Sequence, residues 1–431
     1  MVHRPTRGDG PLRFGPGVPM VPDTGPGIVD AGVYTDPRRY ERERATVLRN
    51  SWQVICRSAE IPDPGDFVRW EGHGETIVIT RRRDGGVAGF HNVCQHRGAR
   101  IVKDASGCAR RFTCRWHSWV YDLEGSVIAV PDREDFDAGE LEGLTAPPVE
   151  CAEWAGWVWA VLAGPGAAPP LPEWLGEDIT ADLGVYRMQD MQLTEKLVWD
   201  VPVNWKVIVD AFNENYHAAH LHAKNTRPAD VRDGRFSTYF VLGRHGMMVI
   251  PYKGVLPRLR ETLDHQSLAI CHYTLFPTAV FNCNPTHIQL FRSVPLAVDR
   301  SRFECWELQY PDGDEEYVTE VNEHWGRLKG VVAEDVEIWD EVAATRQSSG
   351  YRRNLLNDRE CKITAFHRTV QDMLDECDLT EMTLQILRSD HGGQLLPAPE
   401  DLCARLCLAA RRSSAAASCS SWPGKATRSA S

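Results

Sequence analysis

The stretch from Cys94 to His117 constrains this chain more than any other. One residue separates Cys94 from His96, two separate Cys114 from His117, and seventeen lie between the pairs. Zinc sites made of two Cys and two His usually take both thiolates from one knuckle and both imidazoles from a helix at His-x3-5-His spacing. Here each of two short loops delivers one thiolate and one imidazole. That suits a two-iron cluster in which one iron is held by both Cys and the other by both His. Zinc and chance spacing remain the alternatives. Cys108, between the loops, reads as a packing cysteine, and His91, in "VAGFHNV", as an ordinary strand residue.

A domain that only carries electrons needs about a hundred residues, and a chain of this length has room for two or three domains with sizeable cores. The 431 residues carry a formal net charge of −12, which disfavours a phosphate backbone or an anionic membrane surface as partner. Thirteen cysteines, an odd number, and no apolar signal segment after Met1 suggest a reducing cytoplasm. The longest nearly continuous apolar run, "AGWVWAVLAG", falls far short of the roughly twenty residues that cross a bilayer. A cytoplasmic protein with no nucleic-acid or membrane partner is expected.

Glycine and proline punctuate the chain. Residues 1–33 read as a Gly/Pro-rich extended arm, and 34–51 as a charged helix packing on the second domain, capped by Asp36 with Pro37 in its first position. Residues 52–164 turn to short β-rich runs such as "ETIVIT" and "VAGFHNV" and form the cluster domain. Residues 165–400, after the linker text "AGPGAAPPLPEW", mix strands such as "HYTLFPTAVF" with helices. The Ser/Ala-rich end, 401–431, reads as a disordered tail.

The second domain contains "NWKVIVDAFNENYHAAHLH". Trp205, Ile208, Val209 and Phe212 give an apolar stripe, so the segment reads as a helix through His217. Asp210, Glu214 and His217, at i, i+4 and i+7, then share one face. His222 lies about 140° further round an ideal helix, so His217 and His222 can share a metal only if the helix loosens after His217. Two His and one carboxylate on one face, with coordination positions left open, are the ligands of non-haem Fe(II) oxygenases.

With the "CQHRGA" and "CRWHSWVYDLEG" loops, this text resembles the Rieske non-haem iron oxygenases, the aromatic-ring-hydroxylating and amine-oxidising α subunits, from about Tyr34 to Leu387. The resemblance implies an α+β chain: a β-rich Rieske [2Fe-2S] domain, then a catalytic domain with an antiparallel sheet and helices. By position, Cys94, His96, Cys114 and His117 would bind the cluster, and His217 and His222 the mononuclear Fe(II). Asp335, in "VVAEDVEIWDEVA", would be the third ligand, with Glu334 and Glu337 as rivals, and His220 competes with His222. Glu214 would bridge His217 to a cluster His, where many members have Asp. Members with Glu include ones resembling carnitine and betaine oxygenases, which tilts the substrate toward amines. Asp210 is a further candidate that equally caps or orients a neighbour. Trp306, Tyr310, Phe276 and Phe291 are either core or an aromatic cage for a quaternary ammonium. His245, His265, His272, His287, His324 and His367 lack a partner at ligand spacing.

No G-x-G-x-x-G follows a strand, so NAD(P)H electrons would come through a separate reductase, with or without a ferredoxin. O2 would be the cosubstrate for hydroxylation, dihydroxylation or demethylation of a small aromatic or amine molecule. A homotrimer, with or without a β subunit, is implied. An electron-transfer Rieske protein with a degenerate second domain and a zinc-stabilised binding protein are the alternatives.

Overall fold

Short strands separated by turns build the sheets of this chain, and two long helices, Glu315–Arg346 and Cys361–Asp390, pack with them. The structure, a computed structural model, describes residues 27–224, 237–262 and 264–390. The expected tail 401–431 and most of the expected arm lie outside the described residues. Within the arm, β1 (Gly27–Asp30) pairs antiparallel with the strand Arg353–Leu356. Asp36 caps the helix Pro37–Glu43 by accepting from Arg38 N, with Pro37 in the first turn.

The first half contains β2 (Gln53–Arg57), β3 (Asp66–Gly72), β4 (Glu75–Arg81), β5 (Val87–His91), β6 (Ser106–Cys108), β7 (Phe112–Thr113), β8 (Val120–Tyr121), β9 (Val127–Ala129), β10 (Glu150–Trp154) and β11 (Trp157–Val161). They form sheets in the orders β5-β4-β3-β6, β7-β8-β9 and β10-β11-β2. Cys108 does not pack inside. It ends β6, a short edge strand whose residues are exposed.

The second half is one antiparallel sheet built from β12 (Gln192–Val201), β13 (Thr238–Leu242), β14 (His245–Pro251), β15 (Ala269–Leu275), β16 (Ala279–Cys283), β17 (His287–Ala297) and β18 (Arg300–Gln309), in the order β12-β18-β17-β16-β15-β14-β13. Its central strands bury both faces. Phe281, Leu290 and Trp306 face the first half, where Trp157 meets the Phe281 and Trp306 rings at 5.6 Å each. Val280, Phe291 and Cys305 face the opposite way, under Trp325, Val331 and Val332 of the helix Glu315–Arg346. Among the described residues no helix is long and apolar enough to cross a membrane.

β12 and β13 are consecutive in sequence yet lie at opposite edges of the sheet. The connection between them must therefore travel six strand spacings of ~4.8 Å, roughly 29 Å. This crossing segment carries Asp210, Glu214, His217 and His222, and the helix Glu315–Arg346 brings Asp335 to it.

The helix Pro37–Glu43 is fastened to the crossing segment by a buried ion pair. Lys206 Nζ and Glu43 Oε2 make a short contact with both side chains fully buried, and Trp205 Nε1 donates to the same oxygen at 3.2 Å. Removing one partner of a desolvated pair leaves the other charge uncompensated. Glu43→Ala is expected to lower stability by about 3–5 kcal/mol, measured by urea unfolding. A loss below about 1 kcal/mol would mean that the pair behaves like a surface ion pair.

Candidate metal centres

The two Cys/His loops fold into the same turn. In the first, Cys94 O accepts from Gly98 N at 2.8 Å and Cys94 N donates to Ala99 O at 2.7 Å. In the second, Cys114 O accepts from Ser118 N at 2.9 Å and Cys114 N donates to Trp119 O at 2.8 Å. Each turn needs a left-handed residue four places after its cysteine, with φ +74° at Gly98 and +59° at Ser118. Asn92 pins the first loop from inside: its Oδ1 accepts from Val102 N and its Nδ2 donates to Val102 O, at 2.7 and 2.8 Å.

Both thiols are buried, and the two imidazoles lie beside each other with ring centroids 4.5 Å apart. His96 stacks on Trp119 at 5.0 Å, and among the described residues nothing hydrogen-bonds to its buried Nδ1. The Tyr121 hydroxyl donates to Cys94 Sγ at 3.2 Å. Burial raises the Cys94 thiol above its ordinary value, and the Tyr121 hydrogen bond opposes that shift. Two facing thiols, two facing imidazoles and one buried nitrogen without a partner fit a cluster with one iron on sulfur and one on nitrogen.

The second centre sits on the crossing segment, whose helix does not run through His217. It spans Trp205–Ala211 and closes at Phe212, and a one-turn helix follows at Ala218–Leu221. The break therefore comes before His217, not after it. Glu214 supplies the competing hydrogen bonds: its Oε2 accepts from Tyr216 N in a short contact and from His217 N at 3.2 Å. His217 and His222 flank the one-turn helix, with their rings 5.0 Å apart at 81°.

Three ligand atoms converge there. His217 Nε2 and His222 Nε2 lie 3.7 and 3.2 Å from Asp335 Oδ1. Donor atoms of this trio all fall within 4.8 Å of one another. Both rings are held from behind. His217 Nδ1 makes a short contact with Glu214 Oε1, and His222 Nδ1 lies 2.9 Å from Glu334 Oε2. Burial pulls the His217 imidazole down, but the hydrogen bond and charge of Glu214, with Asp335 and Glu360, carry it above its ordinary value. The rivals separate by position. Asp335 is buried on the face that also buries Val331, Val332 and Trp339, Glu334 is spent on His222, and Glu337 is exposed. His220 is also exposed, beside Tyr216. Two imidazoles and one carboxylate at these distances fit a mononuclear Fe(II).

The trio and Glu214 line one cavity, walled mainly by Phe212, Ile250, Ile270, Phe291, Leu328 and Val332. Asn282, His272 and His324 add polar edges, and His324 Nδ1 lies 2.8 Å from His287 Nε2. Of the four aromatics considered for a cage, Phe291 alone lines this cavity. Trp306, Tyr310 and Phe276 pack in the core on the other face of the sheet. Asp210 turns elsewhere: it accepts from the Tyr34 hydroxyl at 2.6 Å and pairs with His367 Nε2 at 3.0 Å. Glu334 as the partner of His222 had no signal in the sequence beyond standing next to Asp335.

Residues 51–147 match the family model for the Rieske [2Fe-2S] domain, and 188–376 that for the catalytic domain of ring-hydroxylating alpha subunits. The oxygenase subunit of carnitine monooxygenase from Acinetobacter baumannii is 29% identical over 191 residues, 44% of this chain and 51% of that protein. The alpha subunit of biphenyl dioxygenase from Paraburkholderia xenovorans is 30% identical over 209 residues, 44% of each chain. This chain thus spans about half the length of the known relatives it matches. Among solved structures, the quaternary ammonium Rieske monooxygenase CntA in complex with L-carnitine aligns with TM-score 0.66 at 20% identity, covering 80% of this chain and 95% of that one. Naphthalene 1,2-dioxygenase from Rhodococcus sp. bound to indole aligns with TM-score 0.68 at 20% identity, covering 80% and 94%. At such identities the likeness is one of fold.

Proposed function

The chain belongs to the Rieske non-haem iron oxygenase α subunits, and from that premise we propose that it is the terminal oxygenase component of a multi-protein system acting on a small aromatic or amine substrate. The convergence of His217, His222 and Asp335 in a mostly apolar cavity carries this reading. The family's cofactors are a Rieske [2Fe-2S] cluster and a mononuclear non-haem iron used with O2.

Cys94 and Cys114 would hold one cluster iron, His96 and His117 the other, and His217, His222 and Asp335 the mononuclear iron. When bound, the cluster supplies single electrons, and the mononuclear iron supplies a place where O2 is activated. Everything else falls to side chains. Glu214 and Glu334 accept from Nδ1 of His217 and His222, which fixes both tautomers so that Nε2 faces Asp335. Phe212, Phe291, Ile250, Ile270, Leu328 and Val332 exclude water and hold the apolar body of the substrate against the metal site. Glu214, already in contact with His217, would also link that ring to a cluster histidine of the next subunit in a head-to-tail homotrimer. Electrons would enter from a separate reductase, with or without a ferredoxin, and the cytoplasm suits such a system.

The amine tilt rests on Glu214 and on the likeness to carnitine monooxygenase subunits, and the aromatic alternative on the likeness to biphenyl dioxygenase alpha subunits. A substrate screen with a generic reductase, scored by product mass, tests the reading. A red-brown protein with about three irons per chain supports it, two irons favour a plain electron carrier, and a colourless zinc protein favours a binding role. Glu334→Ala is expected to weaken iron binding about 10–100-fold, with the cluster spectrum unchanged. Iron titration of the metal-depleted variant measures this, and unaltered affinity would remove Glu334 from the site.

A further inference from the structure

Lysines are almost never fully buried unless paired. Among the described residues two are buried. Lys206 has Glu43. Lys362, 2% exposed in the first turn of the helix Cys361–Asp390, has no hydrogen-bond partner for Nζ among the described residues. Burial pushes its amine down to about 7, and a negative charge beside it would favour the charged form again.

A second, independent donor lines the same small cavity. Asn213 is 1% exposed, and its Nδ2 also has no acceptor among the described residues. Its amide is oriented by the Thr274 hydroxyl, which donates to Asn213 Oδ1 at 2.6 Å and leaves Nδ2 on the other side. The remaining polar lining offers no negative charge. His245 is spent on Trp174 O at 2.8 Å and on Phe276 N at 3.1 Å. Arg244, over the Trp174 ring at 3.8 Å, brings a second cation. Neither Asp nor Glu is among the described residues that line this space, which has room for one small occupant.

We propose that this cavity binds one small monovalent anion of chloride size, held between Lys362 Nζ and Asn213 Nδ2. A water molecule could accept both hydrogen bonds but would leave the ammonium uncompensated, whereas an anion answers both needs. The bound anion would tie Asn213, and with it the adjoining Glu214, to the helix Cys361–Asp390 and to the hairpin whose turn is Gly243 and Arg244.

The test uses the full chain with its metals. Crystals soaked in bromide should give an anomalous peak within hydrogen-bonding reach of Lys362 Nζ and Asn213 Nδ2. In solution, chloride should raise the melting midpoint by about 2–4 °C over gluconate at equal ionic strength, and Lys362→Met should abolish that difference. Lys362→Gln serves if the Met variant does not accumulate, and the bromide map needs no variant. Absence of a peak overturns the proposal. So does a peak accompanied by the same chloride response in parent and variants, which would mark an adventitious ion only.

Discussion

His222→Ala is expected to abolish turnover and to take iron content from about three to about two per chain, while the visible spectrum of the cluster survives. The reason is spatial. Cys94 and Cys114 belong to a core with Val78, Phe90 and Tyr121, whereas the crossing segment packs with Trp325, Val332 and Trp339. No residue of the cluster loops lines the cavity around His222. Removing the imidazole takes away one of the three proposed ligands together with its hydrogen bond to the half-buried Glu334 carboxylate. Asp335→Ala should act in the same direction more mildly, because water can replace one carboxylate oxygen. Iron assay, visible absorbance and single-turnover product yield on one preparation separate the cases. Loss of both metals in His222→Ala would mean that the division into two domains, or the assignment of His222, is wrong.

The cluster loops were legible because everything that shapes them is local. Each Cys, its His and the left-handed residue four places on lie within one turn, so spacing alone carries the geometry. The second centre was only half legible. The stripe of Trp205, Ile208, Val209 and Phe212 continues the helical period up to the residue where the helix stops, and periodicity cannot register that Glu214 offers its carboxylate to two backbone N–H groups in place of helix carbonyls. Which of Glu334, Asp335 and Glu337 points inward depends on the face that a 32-residue helix presents, and the packing of Trp325, Val332 and Trp339 on the sheet turns Asp335 inward. Asp210 shared the expected face with Glu214 only while the helix was continuous. Its actual partners, Tyr34 and His367, lie 176 and 157 residues away in sequence, beyond any local pattern.

Co-expression of His96→Ala, which lacks an intact cluster, with His217→Ala, which lacks the mononuclear iron, is expected to restore activity that neither variant has alone. No chain in such a mixture carries both centres. A route within one chain therefore leaves every assembly inactive. If the cluster of one subunit instead serves the iron of the next, a productive junction needs a His217→Ala chain followed by a His96→Ala chain in ring order. Random assembly gives this at about a quarter of junctions in a head-to-tail ring. The link would be Glu214, whose Oε1 meets His217 Nδ1 in a short contact while the residue itself lines the cavity. Glu214→Ala added to the His96→Ala chain should then remove most of the recovered activity even when added iron saturates the site. This distinguishes a link between subunits from a carboxylate that merely orients His217. Mixed oligomers and remaining metals must be confirmed by mass and by iron assay. With those in hand, absence of recovery defeats the cross-subunit route and leaves Glu214 the single task of holding His217 in its tautomer.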